Sequence, residues 1–174
     1  MSTIHMLIGI PGSGKSTYCN NVLTKKYKDA IYIASDKVRD DNPNMKEEQI
    51  WPEIYRLISN ALNNDLDVIY DATNITENVR NRFKNKLKEL NVKEYDMIAY
   101  YFTTDTNTCY ERVKIRNTMP NERYLPEEVV LSYGSKIMAP TKQEGFKEII
   151  VIDMNKVDWC QLLFSLLYFK FYLY

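Results

Sequence analysis

The stretch Gly9-Ile10-Pro11-Gly12-Ser13-Gly14-Lys15-Ser16-Thr17 has the residue types and spacing needed to hold a phosphate, in the pattern G-x-x-x-x-G-K-S. Glycines let successive backbone N–H groups turn inward around an anion without Cβ clashes. A helix starting at Lys15 would add free N–H groups and the positive end of its dipole. Lys15 is spaced to reach the β- and γ-phosphates of a nucleotide, and the Ser16 hydroxyl to bind Mg²⁺. The pattern nominates Gly9, Pro11, Gly12, Ser13, Gly14, Lys15, Ser16 and Thr17 as nucleotide-binding residues. Of the chain's five glycines, three lie in this loop.

A second group follows the apolar run 30–35. In Ser35-Asp36-Lys37-Val38-Arg39, a carboxylate at a strand end could take the proton of an attacking hydroxyl. Arg39, one helical turn later, could clamp a phosphate on the acceptor. The pair also reads as a helix-capping Asp with a surface Arg. A third group, Asp71-Ala72-Thr73-Asn74, follows another apolar run. There Asp71 would face Mg²⁺ or the acceptor, with Thr73 and Asn74 adding hydrogen-bonding groups. Thr73 or Thr76 could also cap the next helix.

That next helix carries Arg80, Arg82, Lys84, Lys86 and Lys88. Residues 80, 84 and 88 share a face, which reads as solvated. Arg80, nearest the strand end, is the exception nominated for the acceptor. Further on, Arg112, Arg116 and Arg123 lie in a helix and polar loop that runs to Pro126. Arginines there could close over transferring phosphates and exclude water. They could equally pair with Glu111 and Glu122 on the surface.

The elements that must position these groups alternate. Strands are predicted at 3–8, 30–35, 67–71, 95–103 and 148–153. Helices are predicted at 15–26, 46–64, 76–90, 106–117 and 126–138. Short apolar strands between helices give an α/β fold, a parallel sheet covered on both faces. Ligands on such sheets bind at the carboxyl ends of the strands, where all three groups fall.

Composition narrows the classes. A chain of 174 residues, 45% apolar, makes one domain with an adequate core. Lys+Arg and Asp+Glu both number 23, so any nucleic-acid site must be local. Cys19, Cys109 and Cys160 are odd in number and scattered, which fits a reducing cytoplasm rather than a disulfide framework. Met1-Ser2-Thr3 runs straight into the first strand, so no signal peptide is expected. His5, the only histidine, falls within that strand and reads as structural. The segment 157–174 is strongly apolar but interrupted by Gln161, Ser165 and Lys170. It is expected to pack on the domain or against a second copy, with no stable membrane association.

Together the phosphate loop, Ser35-Asp36-Lys37-Val38-Arg39, Asp71-Ala72-Thr73-Asn74 and the Arg116-Asn117 lid resemble the kinase domain of phage-type polynucleotide 5′-kinases, across residues 3–153. The resemblance implies a P-loop NTPase kinase fold over residues 1–156: a parallel five-stranded sheet, helices on both faces, and an Arg-rich lid at 112–126. It implies ATP as donor, Mg²⁺, and the 5′-OH of a nucleic acid as acceptor, in the cytoplasm (the host's, for a phage-encoded enzyme). Asp36 would be the general base, Arg39 would hold the acceptor's neighbouring phosphate, and Arg116 would bind donor phosphates. In this chain Ala72 stands where the phage enzymes often carry an acid, and Ser35 where they often carry Arg. The spacing from Arg116 to Arg123 is longer than theirs. No Asp-x-Asp-Gly pattern occurs, so 3′-phosphatase activity is not expected.

Two other readings fit parts of the pattern. A P-loop kinase of a small acceptor (a nucleoside, sugar, nucleotide-sugar or modified base) would use Asp36 equally well. A guanine-nucleotide switch is suggested by Asn155-Lys156-Val157-Asp158. The switch also requires Asp-x-x-Gly, and Gly134 and Gly145 are preceded at that spacing by Leu131 and Lys142.

Overall fold

Strand β1 (Ser2–Ile8) is buried along nearly its whole length, as a central parallel strand must be. A computed structural model describes residues 1–120 and 122–155. The apolar segment 157–174 lies outside the described residues, as does most of the Asn155–Asp158 pattern. β2 (Ile31–Ala34), β3 (Val68–Asp71), β4 (Tyr95–Phe102) and β5 (Glu148–Ile152) complete one parallel sheet in the order β2-β3-β1-β4-β5. The register sets Leu7, Asp71 and Ala34 abreast. The loops that follow them therefore open onto one rim.

Helices α4 (Glu47–Asn63) and α5 (Glu77–Glu89) cover one face. Ile50, Ile54, Ile58, Phe83 and Leu87 pack there on Ile4, Met6, Val68 and Tyr70. Each such side chain contributes roughly 1.5–3 kcal/mol on burial. Tyr70 and Phe83 stack at 4.8 Å. Thr76 caps α5, accepting from the Val79 N–H, as one sequence reading expected.

The other face packs Leu7, Ile69, Tyr100 and Phe102 against Cys19 and Leu23. The predicted single helix at 15–26 is interrupted. It comprises α1 (Lys15–Tyr18), a π-helical turn (Cys19–Leu23) and α2 (Thr24–Lys26). The wider turn leaves carbonyls to satisfy, and the Thr24 hydroxyl donates to those of Cys19 and Asn20. Ser35, predicted as the last residue of a strand, instead opens α3 (Ser35–Asp41), with Ala34 at its N-cap.

α6 (Thr106–Arg116) and α7 (Glu127–Lys136) flank the phosphate loop. Cys109, Val113 and Val130 form a third apolar cluster with Ile10 and Ile75. Among the described residues, no helix is long and apolar enough to cross a membrane.

Candidate active site

The loop between β1 and α1 is shaped by residues a side chain could not replace. Gly12 has φ +80° and Gly14 φ +93°, and a Cβ on Gly12 would lie 2.3 Å from the Cys109 carbonyl oxygen. The Gly9 N–H donates to Thr73 O at 3.0 Å, and the Thr104 hydroxyl donates to Ser13 O, also at 3.0 Å. Arg112 Nη1 donates to Gly12 O at 3.3 Å. The Ser13 hydroxyl is buried without a partner, so the loop holds a polar atom that an incoming phosphate oxygen would satisfy.

Lys15 is 8% exposed, and its Nζ donates to Ile10 O at 2.9 Å across the loop. Burial pushes its pKa down, the largest effect. Asp71, Cys109 and Asp36 oppose it, and Arg116 reinforces it. The residues acting on Lys15 thus include the carboxylate that follows β2, the one that ends β3 and the arginine that ends α6. Their charges converge on one ammonium.

Ser16 donates its hydroxyl hydrogen to Asp71 Oδ2 at 2.7 Å. Tyr32, a residue the sequence reading passed over, donates to the same oxygen at 2.9 Å. A hydroxyl held by a buried carboxylate one position past the loop lysine is a donor set that suits a hard divalent cation beside triphosphate oxygens. The residues present therefore fit Mg²⁺, with Ser16 and Asp71 as those that would hold it.

Beyond β2, Asp36 stands in the first turn of α3 with its side chain 76% exposed. Arg39 Nη1 donates to Asp36 Oδ1 at 3.3 Å. The Arg39 fork is otherwise bidentate to Glu47, at 3.0 and 2.6 Å, and its guanidinium lies over the Trp51 ring at 5.5 Å. The capping alternative for Asp36 fails, since Ala34 is the N-cap, and Arg39 is not a free surface arginine. Arg39, Asp40, Asn42, Met45, Glu47 and Arg123 line a cleft of 400 Å³.

Arg123 brings the segment after α6 to this cleft, 3.9 Å from both Asp36 Oδ1 and Asp40 Oδ1. Asn117 closes that segment. Its Nδ2 donates to Leu125 O at 2.8 Å, and its Oδ1 accepts from Leu125 N at 3.0 Å. Arg116 lies 3.7 Å from Glu122, too far for a hydrogen bond, and its Nε is buried without a partner.

Two nominated acceptor residues are corrected. Arg80 is fully buried, 0% exposed, on the core side of α5. Its fork takes Glu144 at 2.7 and 2.9 Å and the carbonyls of Asn74 and Met138 at 3.0 and 3.1 Å. Four of its five N–H donors go to these partners, so it ties α5 to the segment before β5, and its burial keeps it out of reach of an acceptor. Asn74 is 1% exposed and donates to Leu7 O at 2.9 Å, so it stitches β3 to β1 beneath the loop. Thr73 contributes its carbonyl to Gly9, and its side chain remains half-buried on the rim.

Taken together, the parallel sheet, its order and the loop at the end of β1 define an α/β P-loop fold of the kinase type. Residues 4–140 match the family model of the AAA domain designated AAA_33. The chain belongs to that family. No curated protein sequence matches the chain. Among solved structures, a fungal RNA kinase is similar at 17% identity and a TM-score of 0.62, covering 90% of this chain and 77% of its own. Kti12 from Chaetomium thermophilum, bound to ADP-AlF3, is 14% identical with a TM-score of 0.63, covering 94% and 97%. A gluconokinase from Sinorhizobium meliloti 1021 is 14% identical with a TM-score of 0.55, covering 97% of each chain. At such identities the likeness speaks for the fold.

Proposed function

We propose that the protein is a kinase that transfers the γ-phosphate of ATP to the 5′-hydroxyl of a polynucleotide. The observation that carries this reading is the convergence on one rim of Lys15, the Ser16–Asp71 pair and the Asp36–Arg39 pair. Gly12, Gly14 and Thr17 cradle the donor phosphates with backbone N–H groups, in a loop whose shape Gly9 and Ser13 hold through their own N–H bonds to Thr73 O and Ile10 O, and Lys15 swings from Ile10 O to the outer phosphates. Ser16 and Asp71 would hold Mg²⁺, which when bound would neutralise phosphate charge there.

Asp36 accepts the proton of the 5′-hydroxyl as its oxygen bonds to the γ-phosphorus. The bond to the β,γ-bridging oxygen breaks, and ADP leaves. Arg39 holds a phosphate of the acceptor, while Arg112, Arg116 and Arg123, in the lid at 112–126, stabilise the transferring charge. The unpartnered Arg116 Nε is a donor left for that purpose. The fungal RNA kinase among the similar structures supports the choice of acceptor.

One observation favours a second reading, an uncharged small acceptor such as a sugar. Glu47 already occupies the Arg39 fork, and Asp40 adds a second carboxylate to the cleft. A polyol would meet those carboxylates with hydroxyl donors, and the gluconokinase likeness supports it.

Asp36→Asn tests the shared core of both readings. Transfer should fall by at least about a hundredfold, the scale of general-base catalysis. ADP affinity should be unchanged. A variant that transfers normally would remove Asp36 from the chemistry.

A further inference from the structure

Tyr32 and Ile69 pair across β2 and β3, and Asp71 lies on the same face two residues beyond Ile69. The phenol thus spans one step of the sheet to reach the rim. Its hydroxyl donates to Asp71 Oδ2 at 2.9 Å, the oxygen that also accepts from Ser16 at 2.7 Å. Asp71 is 5% exposed, and a buried carboxylate keeps a fixed geometry only when hydrogen bonds hold it. Ser16 is the partner that would change its bonding, because its oxygen would have to turn a lone pair toward an incoming cation. Tyr32 is anchored in the sheet, among Cys19, Leu23 and Ile69, and makes no such turn.

We propose that Tyr32 is a positioning residue for the divalent-cation site, fixing the Asp71 carboxylate so that Ser16 can ligate the metal without losing its own partner. The proposal rests on the reading of Ser16 and Asp71 as the metal-holding pair. Partners one shell beyond a metal's ligands commonly govern its affinity through ligand orientation. Phenylalanine in place of Tyr32 keeps the ring in the apolar layer and removes only the donor.

The test measures binding of a fluorescent ADP analogue to the full chain with and without Mn²⁺, with bound Mn²⁺ counted by its electron paramagnetic resonance signal. In the wild type, Mn²⁺ should tighten nucleotide binding. In Tyr32→Phe, the metal-dependent tightening and the Mn²⁺ affinity should fall about tenfold, at the low end of outer-shell effects. The metal-free nucleotide affinity should stay within about twofold, well inside a single outer-shell effect. Tyr100→Phe, which removes a hydroxyl bonded to His5 in the same layer, should leave both quantities unmoved. Equal weakening with and without metal, or no change in Tyr32→Phe, would overturn the role of Tyr32 while leaving the kinase reading intact. A wild type whose nucleotide affinity ignores Mn²⁺ would overturn the metal assignment of Ser16 and Asp71 itself.

Discussion

Ser16 Oγ lies 2.7 Å from Asp71 Oδ2, which joins the first turn of α1 to the end of β3. The two residues are 55 apart in sequence, and the register of β1 on β3 brings them together. Asp71, rather than residue 72, is the carboxylate on the rim, because β3 ends there. Asp71→Asn keeps the size and removes the charge. Calorimetry should show nucleotide binding that no longer responds to Mg²⁺, a loss of about tenfold or more in metal affinity. An undiminished Mg²⁺ response would take Asp71 out of the metal site.

Arg80 and Glu144 form a buried, bidentate ion pair. Removing one partner strands the other's charge, so Arg80→Met should destabilise the fold by about 3–5 kcal/mol in urea unfolding. Arg80→Met with Glu144→Leu should recover part of that loss, because no lone charge remains. A single variant as stable as the wild type would contradict the structural role given to Arg80.

His5 is buried beside Tyr27 and Tyr100, and burial pushes its pKa below the usual histidine value. A base whose folded pKa is depressed binds its proton more readily when unfolded. The stability tied to His5 is therefore complete above the unfolded pKa of about 6.5, and is lost as pH falls below it. As the only histidine, it should account for most of the slope of unfolding free energy between about pH 6.5 and 5. His5→Gln should flatten that slope; an unchanged slope would assign it elsewhere. Glu144 acts at lower pH. Burial alone would raise its pKa, but Arg80 and the Thr141 N–H together hold it down. Its contribution is lost as pH falls below about 4.3, through the folded value.

Asn117 holds both ends of the lid segment through Leu125. Asn117→Ala should cost about 1–2 kcal/mol, the net worth of two hydrogen bonds, and quicken tryptic cleavage at Arg123. Unchanged cleavage would show that the segment is held by other contacts.

Much of this rim was legible in the sequence because its logic is local. The glycines of the loop, the acid that ends β3 and the Asp36–Arg39 spacing each come at the end of a short apolar run, and strand ends are where such folds bind. Arg80 was misread because nothing nearby in sequence distinguishes it from Arg82 or Lys84. Its partner Glu144 lies 64 residues away, and only the packing of α5 brings it close. Tyr32 was hidden for a different reason. Apolar patterning treats a strand tyrosine as core, and its hydroxyl acquires meaning only from the neighbouring strand. Asn117 was read as the companion of Arg116, whereas its amide is spent on Leu125.

The proposed acceptor is a polynucleotide 5′-hydroxyl attacked with Asp36 as base. The protein should be incubated with γ-labelled ATP, Mg²⁺ and, separately, 5′-OH RNA and DNA oligonucleotides, nucleosides, mononucleotides and sugar acids, with Asp36→Asn beside the wild type. Label should appear on the 5′ end of an oligonucleotide with the wild type, and be at least about a hundredfold less with Asp36→Asn. Label appearing only on a small molecule would contradict the polynucleotide assignment and select the second reading.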